Sequence, residues 1–130
     1  MNINGGENTI RDVALGWDHT VVLSSNQRDV YVFGKGGDGQ LGLSGKPFVS
    51  GPAKSVELSS KNTSSKHNND SSSNSDNTAA VCAIRRCSLT LNEKGDILKQ
   101  VGQCRKLHTM EEMRKSLEGC VMRAKRNGLL

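Results

Sequence analysis

Large rings are scarce: Trp17, Tyr31, Phe33 and Phe48 are the only aromatic side chains in 130 residues. With apolar residues at 34% of the chain, there is little material for a wide core, and one domain is the most the length allows. No run of eighteen apolar residues occurs, which excludes a membrane-spanning helix. The opening "MNINGGENTI" has neither a basic flank nor an apolar stretch, so it does not read as a secretory leader. The expectation is therefore a cytoplasmic or nuclear protein with no membrane contact. Its four cysteines are then expected as reduced thiols rather than a disulfide framework.

Acidic charge is scarce in the C-terminal part. Residues 81–130 hold 11 basic and 5 acidic side chains, against 5 and 6 in residues 1–58, so the net charge of +5 arises there. Such a third could meet nucleic acid or an acidic partner, although a solvated helix face is the commoner cause of such a surplus.

Composition divides the chain into four parts. Residues 1–58 carry the short runs "DVALG", "HTVVL", "DVYVFG" and "KSVEL", broken by turn residues as strands are. Across 59–78, 13 of 20 residues are serine or asparagine and none is a sizeable apolar group, which predicts a disordered insertion with abundant candidate phosphoacceptors. Residues 79–104 offer "AVCAIRRCSLTL" and "GDILKQVG", a strand pair around a turn at Asn92-Glu93-Lys94-Gly95. In 105–130, Met110, Met113, Leu117, Cys120, Val121 and Ala124 recur at helical spacing and predict a basic amphipathic helix over about 110–126. Thr109 with Glu112 is a candidate capping box, and Gly128 a terminator.

The stretch "VYVFGKGGDGQLG" contains Gly34, Gly36 and Gly39 in a G-x-G-x-x-G order. A dinucleotide turn must open a helix of about a dozen residues. Here the chain continues as "QLGLSGKPF", whose glycines and Pro47 cannot build one. Gly45-Lys46 is no phosphate-binding loop either, since Gln40 stands where the first glycine belongs and Pro47 where Ser or Thr would bind magnesium.

The chain also repeats itself. Shifted by 68 residues, Val81 falls on Val13, Cys82 on Ala14, Ser88 on Thr20, Leu89 on Val21 and Gly102 on Gly34. Without the polar tract the period is about 48, in the range of propellers and solenoids.

The first copy, "VALGWDHTVVLSSNQRDVYVFGKGGDGQLG", resembles a repeat of the regulator of chromosome condensation family. The pattern is carried by Gly16, His19, Thr20, Gly34, Gly39, Gln40, Leu41 and Gly42, supported by Leu23, Val30 and Tyr31. The second copy is eroded: Ile84 stands in the place of Gly16, Cys87 in that of His19, and no Gly-Gln-Leu-Gly follows Gly102. The resemblance implies a mainly β fold, a partial β-propeller of two blade-type repeats, with the insertion between them and the helix behind. It implies that the glycines turn the chain between strands, with positive φ at Gly39 and Gly42, and that His19 braces a turn. Two repeats bury little for an independent core, so the chain is expected to be part of a larger protein or completed by another chain.

The function implied is protein binding, as an interaction or adaptor surface, without catalysis or cofactor. Trp17 and Asp18 are candidate contact residues, Trp17 being as readily a cover for a sheet edge. The alternative implied by the family is a remnant or subunit of a guanine nucleotide exchange factor with a small GTPase as partner. A third reading comes from Cys82, Cys87, Cys104 and His108, whose C-x4-C-x16-C-x3-H spacing approaches a zinc module beside Arg85, Arg86, Arg105 and Lys106. Neither pair has the tight C-x2-C form, and buried thiols packing as small apolar groups account better for these cysteines. The helix stripe could dock in a partner groove or cover a sheet edge within the molecule.

Overall fold

The computed structural model describes residues 9–43, 46–59, 77–104 and 109–130. The chain is mainly β, with two antiparallel sheets and one C-terminal helix. The first sheet runs in sequence order through β1 (Ile10–Leu15), β2 (His19–Ser24), β3 (Val30–Lys35) and β4 (Phe48–Lys54). The second holds β5 (Ala80–Ile84), β6 (Cys87–Leu91) and β7 (Ile97–Gly102), and α1 (Glu111–Arg126) comes after it. Most of the tract read as a disordered insertion, residues 60–76, lies outside the described residues.

Strand alternation decides what each face touches. Val21 and Leu23 of β2 and Val30 and Val32 of β3 point toward the second sheet, where Val81 meets them with Leu41 and Leu58 in one buried cluster. The opposite face of the second sheet presents Ala80, Cys82, Cys87, Leu89 and Leu91, and α1 covers it with Met113 and Ala124, flanked by Leu117, Cys120 and Val121. The helical stripe thus closes a sheet of its own molecule.

The two sheets share one register. Asp12↔Leu23, Val13↔Val22, Ala14↔Val21 and Leu15↔Thr20 return 68 residues later as Ala80↔Leu91, Val81↔Thr90, Cys82↔Leu89 and Ala83↔Ser88. His19↔Gly34 returns as Cys87↔Gly102. Both glycines have positive φ, 109° and 96°. A Cβ on Gly102 would meet the Arg86 carbonyl and lie 2.9 Å from Cα of Gln40, so the position also lets the Gln40 turn approach the second sheet.

Four local expectations are corrected. "AVCAIRRCSLTL" is not one strand of a pair: it turns back at Arg85-Arg86 into β5 and β6, and with β7 the second sheet has three strands. "KSVEL" is not a strand: the fourth strand is Phe48–Lys54, and residues 56–58 form a turn that buries Leu58. Pro52 is tolerated because β4 is the edge of its sheet. The Thr109–Glu112 capping box does not form; Met110 takes the N-cap position without a side-chain cap, and Glu112 reaches Arg85 at 2.6 Å instead. The cysteines are not free thiols: Cys82 is bonded to Cys120 and Cys87 to Cys104, with Cα separations of 6.0 and 5.2 Å, within disulfide reach.

Candidate functional site: an exposed tryptophan corner

The turn between β1 and β2 is fixed from both sides. The Gly16 amide donates to the His19 carbonyl at 2.8 Å, and the Trp17 amide donates across the sheet boundary to the Arg85 carbonyl at 3.1 Å. Gly16 has to be glycine, because a Cβ there would run into the His19 imidazole. Arg85 lies in the two-residue turn from β5 to β6 with φ of 55°, a left-handed conformation uncommon for a side chain of its size.

On this frame Trp17 stands 62% exposed. The guanidinium carbons of Arg85 and Arg86 lie 5.4 and 5.5 Å from its ring centre, both within cation–π range. Each arginine is also held by acids: Arg85 by Glu112 at 2.6 Å, Arg86 by Asp38 at 3.4 Å and by Asp18 at 3.8 Å. Gln103 donates to Asp38 at 3.2 Å. The two candidate contact residues, Trp17 and Asp18, therefore sit in one cluster with arginines from the second sheet and an acid from the helix.

Behind the corner, His19 is buried. Ser88 Oγ donates to the Gln40 carbonyl at 2.6 Å, so it accepts from His19 Nε2–H at 2.7 Å. That tautomer leaves Nδ1 as a buried acceptor with no partner among the described residues. Burial holds the His19 pKa below its usual value, against the opposing pull of Asp18. Held in its neutral form by burial, the imidazole is packed inside the molecule.

The structure brings His19, Gln40 and Ser88 together, and places Thr20 half-buried on the other face of β2. Leu41 joins the cluster between the sheets, while Gly39 and Gly42 take positive φ of 82° and 65°. The amides of Gly36, Gly39 and Gly42 donate to the carbonyls of Pro47, Gly36 and Gly39. These donors are spent inside the turn and no helix opens after it among the described residues, so the glycine string does not form a nucleotide cradle.

The zinc reading is overturned in its cysteines. Cys82 pairs with Cys120 in the helix, and Cys87 with Cys104, so the three no longer converge on one point. His108 lies outside the described residues, and among those described no group of three or more His, Cys, Asp or Glu is placed to hold a metal.

One site feature was missed by sequence reasoning. Asp12, buried on β1, accepts from the two terminal guanidinium nitrogens of Arg123, Nη1 and Nη2, at 2.8 and 3.1 Å and from the Val81 amide at 2.9 Å. Arg123 also donates to the Val81 carbonyl at 3.1 Å, so one ion pair joins β1, β5 and α1. The only available signal was an acid inside a strand segment, Asp12 before Val13, Ala14 and Leu15, which is costly to bury unless paired.

Residues 10–40 match the family model described as the regulator of chromosome condensation (RCC1) repeat. The fold is similar to that of the crystal structure of human WBSCR16, with a TM-score of 0.55 and 24% identity. The match covers 81% of this chain and 22% of that one, so the chain spans about a fifth of its structural neighbour. No curated protein matches the sequence.

Proposed function

We propose that this chain, whose residues 10–40 carry an RCC1 repeat, works as a protein-binding module of a propeller of that type, with its two sheets as successive blades. The Trp17 corner is the contact surface. The observation that carries this reading is the pairing of high exposure with a fixed backbone: Trp17 is 62% exposed, yet its amide is tied to Arg85 and that of Gly16 to His19. Binding through such a residue costs little ordering entropy, and tryptophan with arginine is the combination enriched where interfaces derive most of their energy. Asp18, Asp38 and Glu112 keep the arginines in place and give the corner both signs of charge. The partner is a protein surface that buries an indole and meets a mixed-charge rim.

The test is quantitative co-purification from the protein's own cells, comparing the natural sequence with Trp17→Ala. At least one protein should be lost with the variant while far-ultraviolet circular dichroism stays unchanged. An identical set of co-purifying proteins would remove the corner as the contact surface.

A further inference from the structure

The four sulfurs are not equally placed. Cys82 and Cys87 have no exposed surface and Cys104 is 7% exposed, whereas Cys120 is half-buried on α1. Cys120 lines a cavity of about 500 Å³ that opens between α1 and the turns at Gly16 and Arg85, with Trp17, Arg85, Ser116, Gly119 and Arg123 around it. A thiolate entering that cavity meets Cys120 before it meets any other sulfur, and Cys82 lies behind it.

The helix leaves this approach bare. Ser116, one helical turn before Cys120, is small, and a Cβ on Gly119 would meet nothing within 4 Å. Glycine is unfavourable in the middle of a helix, and no close neighbour demands it here. What it does is keep the space beside Cys120 unfilled. The charge at the cavity suits an anion. Arg85 gives one N–H to Glu112, and a guanidinium carries several more.

We propose that Cys120 is a site of reversible thiolation by a small acidic thiol of the glutathione class. The thiolate attacks Cys120 Sγ, the new S–S bond forms as the Cys82–Cys120 bond breaks, and Cys82 leaves with the electron pair and takes up the proton that the incoming thiol gave up. The incoming sulfur is oxidised as Cys82 is reduced, so the electrons balance without a further oxidant. The Cys82 thiol stays buried with Ala80, Leu89 and Leu91, at the register position where the first sheet holds Ala14, and burial keeps it protonated and slow to reverse the attack. The added group fills the cavity beside Trp17. That it controls partner binding rests on the reading of the Trp17 corner as the contact surface; the thiolation itself does not.

The experiment incubates the full, oxidised chain with reduced glutathione, quenches with acid and locates the products by mass spectrometry. The expected product carries one glutathione on Cys120, a free thiol at Cys82 and an intact Cys87–Cys104 bond. Glutathione on another cysteine, opening of Cys87–Cys104 at the same rate, or no adduct overturns the inference. Gly119→Leu, a change that helix propensity favours, should slow adduct formation about tenfold without lowering the urea midpoint, by covering the approach. An unchanged rate overturns the cavity as the route. Arg85→Gln should slow glutathione about threefold, as loss of an exposed ion pair does, and leave the cationic thiol cysteamine no slower. Equal slowing of both overturns the preference for an acidic thiol. If Trp17→Ala loses no partner while Cys120 still takes the adduct, the corner reading alone fails; if a partner is lost and no adduct forms, the thiolation alone fails.

Discussion

His19 Nε2 lies 2.7 Å from the Ser88 hydroxyl, and these two residues from different sheets form the central polar contact of the molecule. The hydroxyl passes the interaction on to the Gln40 carbonyl, so a strand, a turn and a second sheet are joined by two hydrogen bonds.

This contact makes stability depend on pH. The folded-state pKa of His19 lies below its unfolded value because burial disfavours the charged ring. The unfolded chain therefore takes up more protons as the pH falls. The contribution is fully present above about pH 6.5 and is lost progressively below it. Urea unfolding at pH 7.5, 6.5 and 5.5 should show the midpoint falling with pH, and His19→Gln should flatten that slope while lowering stability throughout. A natural protein with the same midpoint at all three values would contradict the neutral, buried imidazole.

Gly16→Ala tests the same region sterically. The added methyl would occupy space held by the imidazole, and overpacking of this kind costs about 1–3 kcal/mol. Gly51→Ala, where nothing lies within 4 Å of the added atom, serves as a comparison and should be much milder.

Arg123→Ala should destabilise by about 3 kcal/mol, at the lower end for breaking a buried pair, because Asp12 keeps the Val13 and Val81 amides as donors. The double variant Asp12→Ala/Arg123→Ala should cost less than the sum of the two singles, since the uncompensated carboxylate is then gone. Denaturant unfolding of the three variants measures the coupling directly, and strict additivity would show that the pair is not coupled.

Native, unreduced protein treated with a thiol-alkylating reagent should take up no label, since all four cysteines are paired. Replacing Cys120 by Ser opens a bond that closes 38 residues, and chain-entropy estimates put the loss at about 4 kcal/mol. Labelling of the unreduced protein by intact mass would refute the pairing.

What was legible in the sequence was local. Glycines with a His-Thr pair marked the repeat, β-branched and aliphatic runs marked β1, β2, β3 and β7 and, as one undivided run, β5 with β6, and the apolar spacing from Met110 to Ala124 marked the helix, all through patterns a few residues long. What was hidden depends on contacts between distant residues. Arg123 lies among the basic residues of the helix's last turn, where a cation needs no further partner, and only the fold places Asp12, 111 residues away, against it. Cys82 stood in a position where Ala14 had shown a small apolar residue suffices, so nothing local distinguished a packed thiol from one facing Cys120. The fourth strand was missed because Phe48–Lys54 holds Gly51 and Pro52, poor strand residues that an edge position accepts.

Both disulfides lie between Cys82 and Cys120, so the covalent wiring of the molecule is lopsided. The first sheet is linked to the remainder by a single strand of peptide, with every other bond between the two being non-covalent. A single cut anywhere in residues 60–76 would yield two polypeptides that a reducing agent is not needed to part. The C-terminal piece would keep its bridges, and the N-terminal one would stay attached only as long as His19, Asp12 and the valines of β2 and β3 hold their partners. A nicked sample should accordingly run as one species on a native column and as two on a non-reducing denaturing gel.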